Sequence, residues 1–109
     1  MLEAIFGSAV REKVLLFILA REKGYAREIA GFFNINLNQV QKQMDGLEAG
    51  GVLVSQNMGR TRIYEFNPKY QFLGELKALL LKALSFYPKK VQENLTMNRR
   101  RPRRRNKPL

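Results

Sequence analysis

Apolar residues in the first half of the chain recur at helical spacing in three blocks, and the pattern then switches to a strand-like one. In the first block Val10, Val14, Phe17 and Ile18 mark one face, and Leu15, Leu16 and Leu19 widen it until little of the helix faces water. Ser8 is placed to cap its start, although Arg11 cannot complete a capping box, and Lys23-Gly24 closes it. Leu2 to Phe6 adds a helical turn or two ahead of it, ending at Gly7. The second block, Ala26 to Phe33, turns Ile29, Ala30 and Phe33 inward, and Asn34-Ile35-Asn36 forms a turn. The third starts at Leu37. Asn36 can accept from the amide of Gln39 while Gln39 reaches back, a capping box, and Val40, Met44 and Leu47 then share one inward face with Leu37 at its edge.

Gly50-Gly51 ends the third helix, since glycine enters the left-handed region without a Cβ penalty. Val52-Leu53-Val54 reads as a strand, Asn57-Met58-Gly59-Arg60 as a tight turn, and Thr61 to Phe66 as a returning strand rich in β-formers. Tyr25 is expected to begin a very short strand beside this hairpin. Pro68 suits the first turn of a further helix, of which Gln71 to Tyr87 is the apolar part. That part carries two rows: Leu73, Leu76, Leu80, Ala83 and Tyr87, and Phe72, Leu76, Leu79, Ala83 and Phe86. One row can cover the domain's own core while the other meets the same helix of a second subunit, and the first row is assigned to that dimer interface. The alternative is one wide face packed wholly on its own domain. Pro88 interrupts the helix, and Lys89 to Leu95 can resume it for a turn or two. The expected fold is mainly α with a small β-hairpin wing: a winged helix-turn-helix with a C-terminal dimerisation helix at about 69–87.

The outer face of the third helix carries Asn38, Gln39, Gln41, Lys42, Asp45 and Gly46. Asn and Gln can pair bidentately with adenine in a major groove, and Lys can reach guanine or a phosphate; a solvated surface explains the same residues. Gly46 fits either a close approach to phosphate or a tolerant exposed position. Arg60 and Arg62 are two residues apart, so in a regular strand they leave one face near the hairpin tip, where a wing meets phosphates or the minor groove. Arg27 and Glu28 can touch a phosphate and a neighbouring side chain, but ordinary surface charge is the preferred explanation.

Residues 8–72 resemble ArsR-type winged-helix transcriptional regulators, in the text Arg11 to Ala20, Tyr25 to Ala30, Val40 to Met44, Leu47 to Val52, and Gly59 to Tyr64 running into Asn67-Pro68. The order and spacing of these pieces carry the resemblance. It implies that Leu37 to Gly50 is the recognition helix, Val52 to Phe66 the wing, and the protein a homodimer. The chain departs from many such regulators in having no Cys and no His, so the usual soft-metal or zinc site cannot be built, and no cofactor is expected.

The chain's 109 residues suit one small domain, and the absence of Cys fits a reducing compartment. There is no secretory signal and no apolar run long enough to span a bilayer, so a soluble, cytoplasmic protein without membrane contact is expected. Catalysis is not: general-base His, nucleophilic Cys and a glycine-rich phosphate loop are all missing, and the acids are scattered. Net charge is +11, and residues 98–109 hold seven of the 20 Lys and Arg and none of the nine Asp and Glu. Arg99, Arg100, Arg101, Arg103, Arg104 and Arg105 form a run without apolar periodicity, expected to be a disordered basic arm following a domain at 1–97. Such an arm attracts polyanions whatever the folded part recognises.

Together these features predict a homodimeric, sequence-specific binder of double-stranded DNA at an inverted-repeat operator, acting as a transcriptional regulator and specifically a repressor. Asn38, Gln39, Gln41 and Lys42 would read bases, Arg60 and Arg62 would anchor the wing, and the arm would add affinity. Two alternatives remain open: nucleic-acid binding without sequence preference, driven by the arm, and a winged-helix interaction module, antitoxin-like, that partners the product of an adjacent gene.

Overall fold

In the computed structural model, which describes residues 1–96, the chain runs α1 (Glu3–Phe6), α2 (Ala9–Arg21), α3 (Ala26–Phe33), α4 (Leu37–Ala49), β1 (Leu53–Met58), β2 (Thr61–Phe66) and α5 (Leu73–Ser85). A further helix, α6, covers residues 89–96 among the described residues. The Ser8 hydroxyl accepts from the Arg11 amide at 3.1 Å and opens α2 where the sequence puts it. α2 is the axis of the core. Val14, Leu15, Leu16, Phe17 and Ile18 are all buried, because α3, α4, α5 and β2 pack around this one helix. Its run of five apolar residues leaves no side free for water.

α3 ends at Asn34, which takes the left-handed conformation (φ +56°) that Asn accepts more readily than most residues. α4 then opens with the Asn36 side chain accepting from the Gln39 amide at 3.1 Å, one half of the expected capping box. Val40, Met44 and Leu47 are buried as their spacing predicts. The hairpin is antiparallel, with Met58 opposite Thr61, so Gly59 and Arg60 alone form the turn and Gly59 supplies a positive φ of 66°. β1 therefore runs to Met58, beyond the apolar Val52 to Val54, because ladder pairing with β2 holds its polar outer half.

The short third strand is a single bridge, and it falls on Gly24 rather than Tyr25. Gly24 donates to the Tyr64 carbonyl (3.0 Å) and accepts from the Tyr64 amide (2.8 Å). A Cβ at Gly24 would lie 3.0 Å from two atoms of the Phe17 ring, so the close approach depends on glycine.

The C-terminal helix begins later than its sequence pattern suggests. Pro68 and Lys69 form a turn organised by Asn67, whose side chain accepts from the Lys69 amide (3.0 Å) and donates to the Gly51 carbonyl (2.9 Å), and α5 starts only at Leu73. On α5 the row assigned from sequence to a second subunit turns inward. Leu80 and Ala83 are buried in the chain's own core, while Leu76 and Tyr87 pack against it, because this row lies over α2. Phe72, Leu81 and Phe86 are the large apolar residues left exposed on this part of the chain.

α6 is held by the buried Leu95, by Gln92, which donates to the Tyr87 carbonyl at 2.8 Å, and by one arginine. Arg21, at the end of α2, donates to the carbonyls of Leu95 (3.0 Å) and Asn94 (3.3 Å), and its guanidinium stacks over Phe17 and Phe32. Glu28, 3.7 Å away, pairs with the same guanidinium from α3. Among the described residues no helix is long and apolar enough to cross a membrane. Two short helices, a hairpin behind them and helices on the far side of α2 make a winged helix-turn-helix, mostly α with a small β wing.

Candidate nucleic-acid interface

Strand alternation sets the direction of the wing arginines. On β2 the positions 62, 64 and 66 share a face, and Tyr64 on that face is buried against the helices. Arg62 therefore points to the same side as Tyr64, toward α4, and Arg60 follows it from the turn. Asn57 lies directly opposite Arg62 in the ladder and accepts from its Nη1 at 3.0 Å, which steadies the guanidinium.

These side chains border an open cleft of about 350 Å³ between the start of α3, the start of α4 and the wing. Arg27, Arg60 and Arg62 line it together with Tyr25, Thr61 and Gln41, and none of its lining residues is acidic. Three arginines, one from α3 and two from the wing, thus border one concave space, and guanidinium groups suit phosphate oxygens. Arg27, read from the sequence as ordinary surface charge, belongs to this cleft. Only the packing of the α3 start beside the hairpin brings it there.

Of the base-reading candidates on α4, Asn38, Gln39 and Lys42 are exposed. Gln41 is not free in the same way. Its Nε2 donates to Asp45 Oδ1 (2.9 Å) and to the Tyr64 hydroxyl (3.0 Å), so both amide protons are engaged and the bidentate pairing with adenine expected of it has no donor left. Burial raises the pKa of the Tyr64 hydroxyl above its ordinary value, so it stays a neutral hydrogen-bonding group. Gly46 lies beside the end of an α2 side chain. Arg11 donates from Nε to Gln43 Oε1 at 2.8 Å, and a Cβ at Gly46 would meet Arg11 Nη2 at 2.9 Å. The obstacle is the far end of a flexible side chain on an exposed surface, so Gly46 fits the tolerant exposed position rather than a close approach to phosphate.

Arg99, Arg100, Arg101, Arg103, Arg104 and Arg105 lie outside the described residues. Among the described residues no group of three or more acidic side chains is placed to hold a metal ion.

No protein-family model matches the sequence, and no curated protein matches it. Solved structures do match the fold. ZitR from Lactococcus lactis, as its C30AH42A mutant in apo form, superposes with a TM-score of 0.55 at 15% identity, over 97% of this chain and 89% of that one. The adhesin competence repressor AdcR from Streptococcus pyogenes gives 0.53 at 16% identity over 86% and 79%, and the transcriptional regulator BldR from Sulfolobus solfataricus 0.53 at 21% over 94% and 79%. At such identities the likeness is one of fold. It extends to the winged helix-turn-helix and not to the ArsR-type subfamily.

Proposed function

We propose that this chain is a transcriptional regulator that binds double-stranded DNA in a sequence-dependent manner, as a homodimer. The reading rests on one observation: the cleft that joins Arg27 of α3 to Arg60 and Arg62 of the wing, beside the exposed Asn38, Gln39 and Lys42 of α4. Guanidinium groups around a groove hold phosphates and fix register, while an adjoining helix face with amides and a lysine can read base edges. The named neighbours, a competence repressor and a transcriptional regulator, support a regulator rather than an enzyme. Repression, the ArsR-like kinship drawn from the sequence motifs and an inverted-repeat operator belong to the same proposal. In a dimer the two recognition helices would enter major grooves about 34 Å apart. The exposed Phe72, Leu81 and Phe86 are offered as the dimer contact in place of Leu80 and Ala83.

A second reading is favoured by charge. Seven of 20 basic residues sit in 98–109, so the arginine run can dominate binding to any polyanion. Binding of the full chain, and of a chain ending at Met97, to duplex from around its own gene and to scrambled duplex across a salt series separates the two. A preference of about a thousandfold or more that survives truncation supports sequence reading by the winged helix. Absence of preference, with affinity lost along with residues 98–109, refutes it and leaves the arm as the binding element.

A further inference from the structure

Two polar ties join the recognition helix to the wing, one per strand. Near the domain's interior the Ser55 hydroxyl of β1 donates to Glu48 Oε2 at 2.7 Å. Beside the arginine cleft, Gln41 Nε2 donates to the Tyr64 hydroxyl of β2 at 3.0 Å while Asp45, one helical turn on, accepts from the same nitrogen at 2.9 Å. Asp45 thereby aims the amide at the wing.

Tyr64 is an unusually well-fixed end for such a tie. It is 1% exposed, pairs with Ser55 across the hairpin, and exchanges two backbone hydrogen bonds with Gly24, which is wedged against the Phe17 ring of α2. By contrast, Gln56, Asn57, Met58, Gly59 and Arg60 at the outer hairpin are all exposed. The angle at which Arg60 and Arg62 face α4 is therefore transmitted through β2 at Tyr64.

We infer that Gln41 and Tyr64 are positioning residues that set the wing relative to the recognition helix, so that discrimination between DNA sequences depends on a buried hydroxyl. This rests on the DNA-binding reading above for its consequence, although the mechanical coupling exists without DNA. Tyr64 and Gln41 act through Arg60, Arg62 and the exposed face of α4. A wing free to tilt still meets phosphates, which lie along every duplex, but no longer holds that face in register with base edges.

The test uses the full chain with Tyr64→Phe, Gln41→Ala and both together. Tyr64→Phe keeps the buried ring, and Gln41→Ala changes a half-buried side chain that is not itself part of the core, so at least one variant reports even if the other folds poorly. In free protein, amide hydrogen exchange at 57–62 is expected to speed up about threefold or more in each single variant, with no further gain in the double variant, while exchange at 14–18 in α2 stays unchanged. Unchanged wing exchange overturns the coupling, as does equal acceleration in α2. The second measurement takes the duplex that the parent chain enriches from a randomised pool, and a scrambled version of it. Each single variant and the double variant are expected to lose the same factor, about five- to tenfold, in the ratio of affinity for the preferred duplex to affinity for the scrambled one. Loss with Gln41→Ala but none with Tyr64→Phe would instead make Gln41 a direct base reader and overturn the inference. A pool with no enriched sequence refutes the DNA reading, and the exchange result then decides the coupling by itself.

Discussion

The hydroxyl of Tyr87 donates to Oε2 of Glu12 at 2.6 Å, joining the break after α5 to the first turn of the buried helix α2. Glu12 is 1% exposed, and its other oxygen accepts from the Leu2 amide at 2.7 Å and lies 3.2 Å from the Met1 nitrogen. A carboxylate in that position is tolerated only because donors surround it. Tyr87→Phe keeps the ring and removes a donor, leaving Glu12 under-satisfied. We expect a loss of about 1–3 kcal/mol in chemical denaturation, the usual penalty for such a group. An unchanged midpoint would mean that water replaces the hydroxyl.

The same pair predicts a pH profile. Burial pushes the Glu12 pKa up, but hydrogen bonds from Tyr87, Leu2 and the Met1 nitrogen outweigh it and hold the value below the ordinary carboxylate range. A depressed pKa gives stability that is present above the unfolded value, about 4.3, and lost as pH falls through the folded one. For Tyr87 the sign reverses. Burial and then the Glu12 carboxylate raise its pKa, so its contribution is complete below about pH 10 and is lost as pH rises toward the raised value. The stability gap between parent and Tyr87→Phe should thus be flat from about pH 5 to 9 and shrink at both ends. A gap that does not vary with pH would remove ionisation from the account.

Two glycines should respond oppositely to alanine. At Gly24 the new Cβ would meet the Phe17 ring at 3.0 Å and Ile29 at 3.3 Å, both fully buried, so Gly24→Ala should destabilise by about 1–3 kcal/mol through overpacking. At Gly46 the obstacle is the far end of the Arg11 side chain, which can swing away. Gly46→Ala then gains helix propensity of about 1 kcal/mol, partly offset by the weakened Arg11 to Gln43 bond, and should stabilise by about 0.5 kcal/mol. Thermal melts of both variants decide this.

Arg27→Ala and Arg62→Ala should weaken binding to preferred and scrambled duplex alike, each lowering the slope of log affinity against log salt by about 0.9. A loss confined to the preferred duplex would turn either residue into a base reader. Loss with Arg62 but not Arg27 would remove α3 from the interface.

Leu81→Glu combined with Phe86→Glu should convert the proposed dimer to monomer in sedimentation, since both side chains are exposed in the single chain and a charge there leaves the fold unstrained. A dimer that persists would move the contact elsewhere.

The elements whose order makes the winged helix were legible from periodicity, since an inward row such as Val40, Met44 and Leu47, or a cap such as Ser8 or Asn36, is a property of near neighbours in the chain. That Arg62 shares a face of β2 with Tyr64 was legible too, because strand alternation dictates it. Which of two apolar rows on α5 faces α2 was not, because Leu80 and Phe86 are both large and apolar and only the packing partner separates them. Pairings between distant residues were equally hidden. Tyr87 and Glu12 are 75 residues apart, Arg21 and Leu95 are 74, and Tyr64 and Gln41 are 23. Local sequence determined where helices and strands form; tertiary structure decided which polar groups are engaged and which remain for a ligand. Hydrogen bonds depend on atoms meeting within about 3 Å, a condition that spacing along the chain does not encode.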